Sequence, residues 1–263
     1  MLLQECFVNY FSNNMNISKN QLKYIRSLSQ QKFRKEHQTY IVEGIKNAAE
    51  WLMAKADIEY IVALESWYTE NMPLYTHLER AKILIATEAD FEKISGFKTP
   101  NQVLLTAHMP KIQPAADFKD QWTLVLDKVQ DPGNMGTIIR TADWFGIKQI
   151  VCSPDCVEIY NPKVIQSTMG SVLRMQFTHT NLVSFLETHN EIASYAAILG
   201  GSPIGSLTAT PKGFIIMGNE SKGVSAEVQA LATQGITIPR IGNAESLNVA
   251  VATGIICNEL ISS

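Results

Sequence analysis

No stretch of this 263-residue sequence approaches the roughly eighteen consecutive apolar residues that a membrane-spanning helix needs. The opening segment MLLQECFVNYFSNN lacks the basic region and small-residue cleavage site of an export signal, so a cytoplasmic protein with no membrane partner is expected. Cysteine is scarce. Cys6, Cys152, Cys156 and Cys257 are too scattered for a disulfide framework, and Cys152 and Cys156 are not in C-x-x-C spacing. Reduced, mostly buried thiols are therefore expected. The five histidines form no H-E-x-x-H or other paired-ligand pattern, and no metal is expected. Also missing are the glycine spacing and Lys-Ser/Thr pair of a phosphate loop and the three glycines of a dinucleotide fingerprint. A large excess of one charge is absent too, the net being −3.

What is present is 46% apolar and 18% charged residues, the balance of a globular chain, with length for one large or two ordinary domains. Charge is unevenly spread. Residues 19 to 46 carry Lys19, Lys23, Arg26, Lys32, Arg34, Lys35 and Lys46 against Glu36 and Glu43. Leu22, Ile25 and Phe33 suggest an amphipathic helix there whose other side is basic. Taken alone, such a stretch reads as a solvated face.

The sequence divides at MPKIQPAADFKDQ, where two prolines and mixed polar residues interrupt the pattern. Residues 1–108 form a first domain, 109–120 a linker and 121–263 a second domain. In the first, TYIVEG, IEYIVAL, KILIA and NQVLLTAHM read as short strands, with helices such as IKNAAEWLMAKA and ATEADFEKIS between them. In the second, WTLVLDKV, KQIVCS, MQFTHT, EIASYAAIL, GFIIMGN and GITIP alternate with helices, the mark of an α/β domain with a parallel sheet covered on both faces.

Ligands bind beyond the carboxyl ends of strands in such sheets. Three turns there, QDPGNMG, GNESKG and RIGNAESLN, each place Gly beside Asn, Glu or Ser, where main-chain amides and short polar side chains converge. The blocks that contain them, DPGNMGTIIRTADWFG, IIMGNESKGVS and IPRIGNAESLNVAVATGIICNEL, closely resemble the three motifs of SpoU-type (TrmH-like) RNA ribose methyltransferases of the SPOUT superfamily. The match covers nearly all of residues 121 to 260. In addition, KYIRSLSQQKFRKEHQTYIVEG is similar to the entry of the substrate-binding domain that many of these enzymes carry, itself similar to ribosomal RNA-binding proteins.

The resemblance implies transfer of a methyl group from S-adenosylmethionine to a ribose 2′-oxygen of structured RNA, ribosomal RNA before transfer RNA. It implies a deep trefoil knot formed by residues 240 to 263, and a homodimer with residues of one subunit near the other's site. Arg140 becomes the central catalytic residue, as a base or as an anchor for phosphate and emerging alkoxide. Its alternative is an ordinary solvated helix arginine, turned away from a buried face of Ile138, Ala142 and Phe145. Asn134 positions Arg140 or caps its helix, or both. Glu220 sits beside the reacting ribose or is a first-turn helix carboxylate. Ser246 and Asn248 face the active site, with Ser246 equally a cap of the last helix. Gly218, Ile238 and Leu247, and by the same alignment Leu199, match the positions that hold the cofactor, largely through main-chain groups. Their alternatives are a strand-end glycine and core aliphatics. Beside the methyltransferase motifs, Lys32, Arg34 and Lys35 read as RNA-docking residues. An inactive RNA-binding scaffold of the same fold and a base methyltransferase are the competing readings.

Overall fold

The structure, a computed structural model, describes residues 15–111, 117–207 and 211–262. Cys6 and the opening segment lie outside the described residues, as does the middle of the expected linker. The chain forms two compact units.

The first unit is built from α1 (Lys19–Ser27), α2 (Gln31–His37), β1 (Thr39–Glu43), α3 (Ile45–Met53), β2 (Ile58–Ala63), α4 (Glu65–Glu70), β3 (Ile83–Ile85), α5 (Glu88–Ile94) and β4 (Val103–His108). All four strands fall where the apolar runs were read. They pair in the order β1-β4-β2-β3, with β4 antiparallel to both neighbours and β2 parallel to β3. Helix α1 starts at a capping box, Ser18 Oγ accepting from Gln21 N while Gln21 Oε1 accepts from Ser18 N. Ile25 and Leu28 then bury against Ile41, Val62, Leu84, Phe91 and Leu104. Arg34 is buried as well, at 2% exposure, its guanidinium donating to the carbonyls of Leu28 and Ser29 at 2.8 Å.

The second unit contains β5 (Thr123–Leu126), α6 (Pro132–Trp144), β6 (Gln149–Cys152), β7 (Gln176–His179), α8 (Leu182–Thr188), β8 (Ser194–Pro203), β9 (Phe214–Met217), α9 (Ala226–Leu231), β10 (Gln234–Thr237) and α10 (Val249–Ser262); the helix α7 (Pro162–Thr168) lies between β6 and β7 in the chain. Its six strands are all parallel, in the order β10-β8-β9-β5-β6-β7. The chain steps outward from β5 through β6 to β7, then crosses to the other side, so the order reverses beside β5. That reversal opens a crevice at the carboxyl ends of β5 and β9. Between β8 and β10 the register jumps: Gly235 pairs with Ala196, but Ile236 pairs with Ser202. The intervening residues bulge from the ladder and leave Leu199 78% exposed. Gly201 is required where the strands meet again, since a Cβ there would stand 2.7 Å from the Gly235 carbonyl.

Two boundaries differ from those read in the sequence. Tyr160–Leu173 groups with the first unit, not with residues 121–263. The Tyr160 ring lies 4.8 Å from that of Tyr40, α7 packs on β1, and Gly170, at φ +90°, leaves room for Glu50 that any side chain would fill. The end of the expected linker is core: Phe118 is buried edge-on to Phe185 and Phe214, and the Asp117 carbonyl accepts from Gln149 at 2.9 Å. A proline-interrupted polar stretch hides one aromatic anchor well. Phe118→Ala should lower the stability of the second unit by about 3–5 kcal/mol in urea unfolding; a loss below about 1 kcal/mol would return Phe118 to the linker.

Candidate active site

Strand β5 delivers the chain to a turn at 127–131, and α6 begins at Pro132, whose missing N–H costs nothing at a first helical position. Asp131 is the cap: its Oδ1 accepts from Asn134 N at 2.8 Å. Asn134 is therefore not the cap, and its side chain is free for another task. Its Nδ2 donates to Glu220 Oε1 at 3.1 Å, and its Oδ1 accepts from Asn248 Nδ2 at 2.9 Å. One side chain thus ties together the turns after β5, β9 and β10.

Glu220 is the hub of this tie. Besides Asn134, its carboxylate accepts from Asp131 N at 3.1 Å, Gln130 N at 3.4 Å and Asn219 Nδ2 at 3.3 Å. Partial burial pushes its carboxyl up, but the hydrogen bonds from its own backbone, Asn134, Asp131 and Gln130 outweigh that and hold it below the ordinary carboxylate range. It is therefore ionised at neutral pH and serves as an anion that fastens the first turn, not as a first-turn helix carboxylate. Asn248, not Ser246, caps α10, with Oδ1 accepting from Ala250 N and Val251 N.

Sequence reasoning missed two supports. Asn219 donates from Nδ2 to the Lys128 carbonyl at 2.7 Å, where Lys128 sits in the left-handed region at φ +58°. Buried Asp127 accepts from Ser225 N at 2.7 Å and pins the far end of the turn after β9. These partners are more than ninety residues apart, so no local pattern announces them.

Beside the hub lies a cleft of about 610 Å³. Leu199, Gly218, Glu220, Ile238, Ser246 and Leu247 line it; Asn134, Asn248 and Arg140 do not. Gly218 is a structural necessity too, because a Cβ would come within 2.1 Å of the Gly223 and Val224 main chain. Leu247 is 49% exposed and Ile238 is half-buried, so neither is a core aliphatic. The amides of Gly242 to Leu247 donate to no group among the described residues. Apolar side chains beside open main-chain donors suit a nucleoside held through its edges. Arg140 stands exposed on α6, with Ile138 and Ala142 buried and Phe145 half-buried, and makes no hydrogen bond or ion pair among the described residues.

Residues 121–258 match the model of the SpoU rRNA methylase family. The chain belongs to that family. Residues 19–105 of this SpoU methylase match the MRM3-like substrate binding domain. It is 30% identical over 248 residues to the 23S rRNA (guanosine(2553)-2′-O)-methyltransferase of Bacillus subtilis, covering 92% of this chain and 97% of that protein. Among solved structures it is similar to a TrmH-family protein from Porphyromonas gingivalis, with a TM-score of 0.81, 35% identity and coverage of 92% and 97%. The S-adenosylmethionine-bound rRNA methyltransferase of Sinorhizobium meliloti gives a TM-score of 0.81 at 28% identity, covering 93% and 95%. No helix among the described residues is long and apolar enough to cross a membrane, and no group of three or more His, Cys, Asp or Glu among them is placed to hold a metal.

Of the three docking candidates in the first unit, Lys32 and Lys35 are exposed. Arg34 is corrected: it holds the turn between α1 and α2 from within and presents no charge to a phosphate.

The lowered Glu220 carboxyl has a stability consequence. A folded-state value below the unfolded one gives a contribution that is fully present above the ordinary carboxylate range and is lost as pH falls through the lowered value. The stability difference between the native protein and Glu220→Gln, followed by urea unfolding from about pH 7 to about pH 3, should therefore shrink toward acid. A difference that stays flat would show that Glu220 anchors nothing.

Proposed function

We propose that this protein transfers a methyl group from S-adenosylmethionine to a ribose 2′-hydroxyl of ribosomal RNA, in the cytoplasm. The observation that carries this reading is the Glu220–Asn134–Asn248 tie, which fastens the first motif beside the cleft that the second and third motifs line. The Bacillus subtilis and Sinorhizobium meliloti relatives are rRNA methyltransferases, which favours ribosomal over transfer RNA. The cofactor supplies an electrophilic methyl group on a sulfonium sulfur. Leu199, Gly218, Ile238 and Leu247 hold it, through main-chain groups and apolar contact. The chain must then orient the hydroxyl in line and stabilise the charge that grows on its oxygen as its proton passes to solvent water.

Arg140 takes the second task, binding the phosphate beside the target ribose and the emerging alkoxide as a charged fork. Asn134, Glu220 and Asn248 set the turn from which α6 projects it, and Ser246 faces the ribose from the cleft lip. Arg140 lies off the cleft of its own chain, which supports a site completed by a second copy. Exposed Trp144 on α6 and Val251 and Ile255 on α10 offer the apolar surface for that homodimer. Contact of α10 with both α6 and the Ile204–Ser206 turn supports threading of residues 240 to 263 as a deep trefoil knot.

Incubation with tritiated S-adenosylmethionine and separated ribosomal and transfer RNA, followed by nucleoside analysis, should yield a 2′-O-methyl nucleoside from the ribosomal fraction. Label on a base, or none, would overturn the reading. Arg140→Ala should bind cofactor normally yet lose two to four decades of turnover, about 3–5 kcal/mol; a loss under about threefold would remove Arg140 from catalysis. Sedimentation at micromolar concentration should show a dimer, and mixing Arg140→Ala with a Leu247→Trp protein, whose larger side chain fills the cleft, should restore part of the activity. A monomer would refute the shared site.

A further inference from the structure

At residues 33 and 34 the usual assignment of inside and outside is inverted. Arg34 is buried, whereas the neighbouring Phe33 stands partly in solvent. The Phe33 ring is nearly parallel to that of exposed His37, at 13° with centroids 6.5 Å apart. His37 in turn meets Tyr24 edge-on at 5.0 Å and 81°. A chain of hydrogen bonds fixes Tyr24, on which His37 rests, from the core outward. Thr106, fully buried on β4, donates to Glu59 Oε2 at 3.0 Å, and Tyr24 donates to the same carboxylate at 2.9 and 3.1 Å. Burial and the Glu59 carboxylate push the Tyr24 hydroxyl up to about 12, so it remains a donor. Lys32 places its Nζ 5.7 Å from the Phe33 centroid, and Lys23, Arg26 and Lys35 are exposed on the same two helices.

We infer that Phe33 and His37 form a stacking platform for an unpaired base of the RNA substrate, with Lys32 and the other exposed cations of the two helices holding its phosphates. The inference rests on the reading of the protein as an RNA methyltransferase and adds what the first unit recognises: a looped or single-stranded element, not the duplex. A paired helix hides the faces of its bases, whereas a loop offers them to aromatic rings. Stacking is tolerant of base identity, and the His37 ring, which rests on a Tyr24 held by Glu59, loses little freedom on binding. Lys32 against the Phe33 ring, with further exposed cations on the same two helices, suits a polyanion with flat apolar faces better than an apolar partner.

The test uses the full chain, fluorescence anisotropy, and two labelled RNAs: a stem-loop with an unpaired mixed-sequence loop and a blunt duplex of the same stem. The double variant Phe33→Leu/His37→Gln should bind the stem-loop on the order of ten-fold more weakly. Duplex binding and the slope of affinity against salt should stay as in the native protein, because no phosphate contact is lost. Lys32→Gln/Lys35→Gln should instead flatten that slope for both RNAs. Phe33→Tyr should retain stem-loop affinity, and thermal melting confirms that each variant is folded. Undiminished stem-loop binding by the double variant, or equal weakening toward both RNAs, would overturn the platform. If the native protein binds neither RNA at physiological salt, RNA docking by this unit falls and the platform with it, while methylation by the second unit is judged by its own assay.

Discussion

The hydrogen bonds that converge on Glu220 are the constraint on which the rest of the second unit depends. A parallel sheet can bring the ends of β5, β9 and β10 to one edge, but the polar turns that follow have few main-chain hydrogen bonds of their own to hold them together. The Glu220 carboxylate gives the turn after β5 an acceptor for two main-chain amides, and through Asn134 and Asn248 reaches the start of α10. Because each group in the tie is also a partner to the next, removing one leaves another partly buried polar atom without its hydrogen bond, which costs about 1–3 kcal/mol. Such a network holds its members in one arrangement.

Sterics close what the hydrogen bonds begin. Gly213 has the Ala193 carbonyl where a side chain would be, and Gly201 and Gly218 have main chain there. These three contacts bring β8, β9 and β10 and their turns nearer than side chains permit. The cleft lies among them, and its apolar lip at Leu199 exists because the β8 ladder is interrupted by a bulge. Asp127 and Asn219 then hold the turn after β9 against the turn after β5, so that the cleft wall and α6 share one support.

The first unit shows a different use of charge. A run of basic residues next to an amphipathic pattern reads uniformly as surface, yet the structure sorts it. Arg34 satisfies the carbonyls that end α1, the task of a cap done by a long side chain from the next helix. Its burial turns Phe33 and His37 outward, among the lysines that remain in solvent.

How much was legible in the sequence follows from the range of each interaction. The four strands of the first unit and the six of the second were readable because their period and apolar content are local properties. The three glycine-asparagine turns were readable as a ligand edge because strand-end geometry in a parallel sheet is general. The sequence by itself determined the strands, the parallel sheet and the motifs that place this chain among the SpoU methylases. Tertiary structure decided that Asp131 and not Asn134 caps α6, that Asn248 and not Ser246 caps α10, and that Arg34 is core. It decided that Phe118 is an anchor instead of linker, and that Tyr160–Leu173 packs with the first unit. The cap bonds themselves are local, but Asn134 is drawn off by Glu220 and Asn248 through bonds that span 86 and 114 residues, and Phe118 and Tyr160 meet their partners only by packing. A side chain that can satisfy itself in two ways is assigned only when folding brings one of its partners within reach.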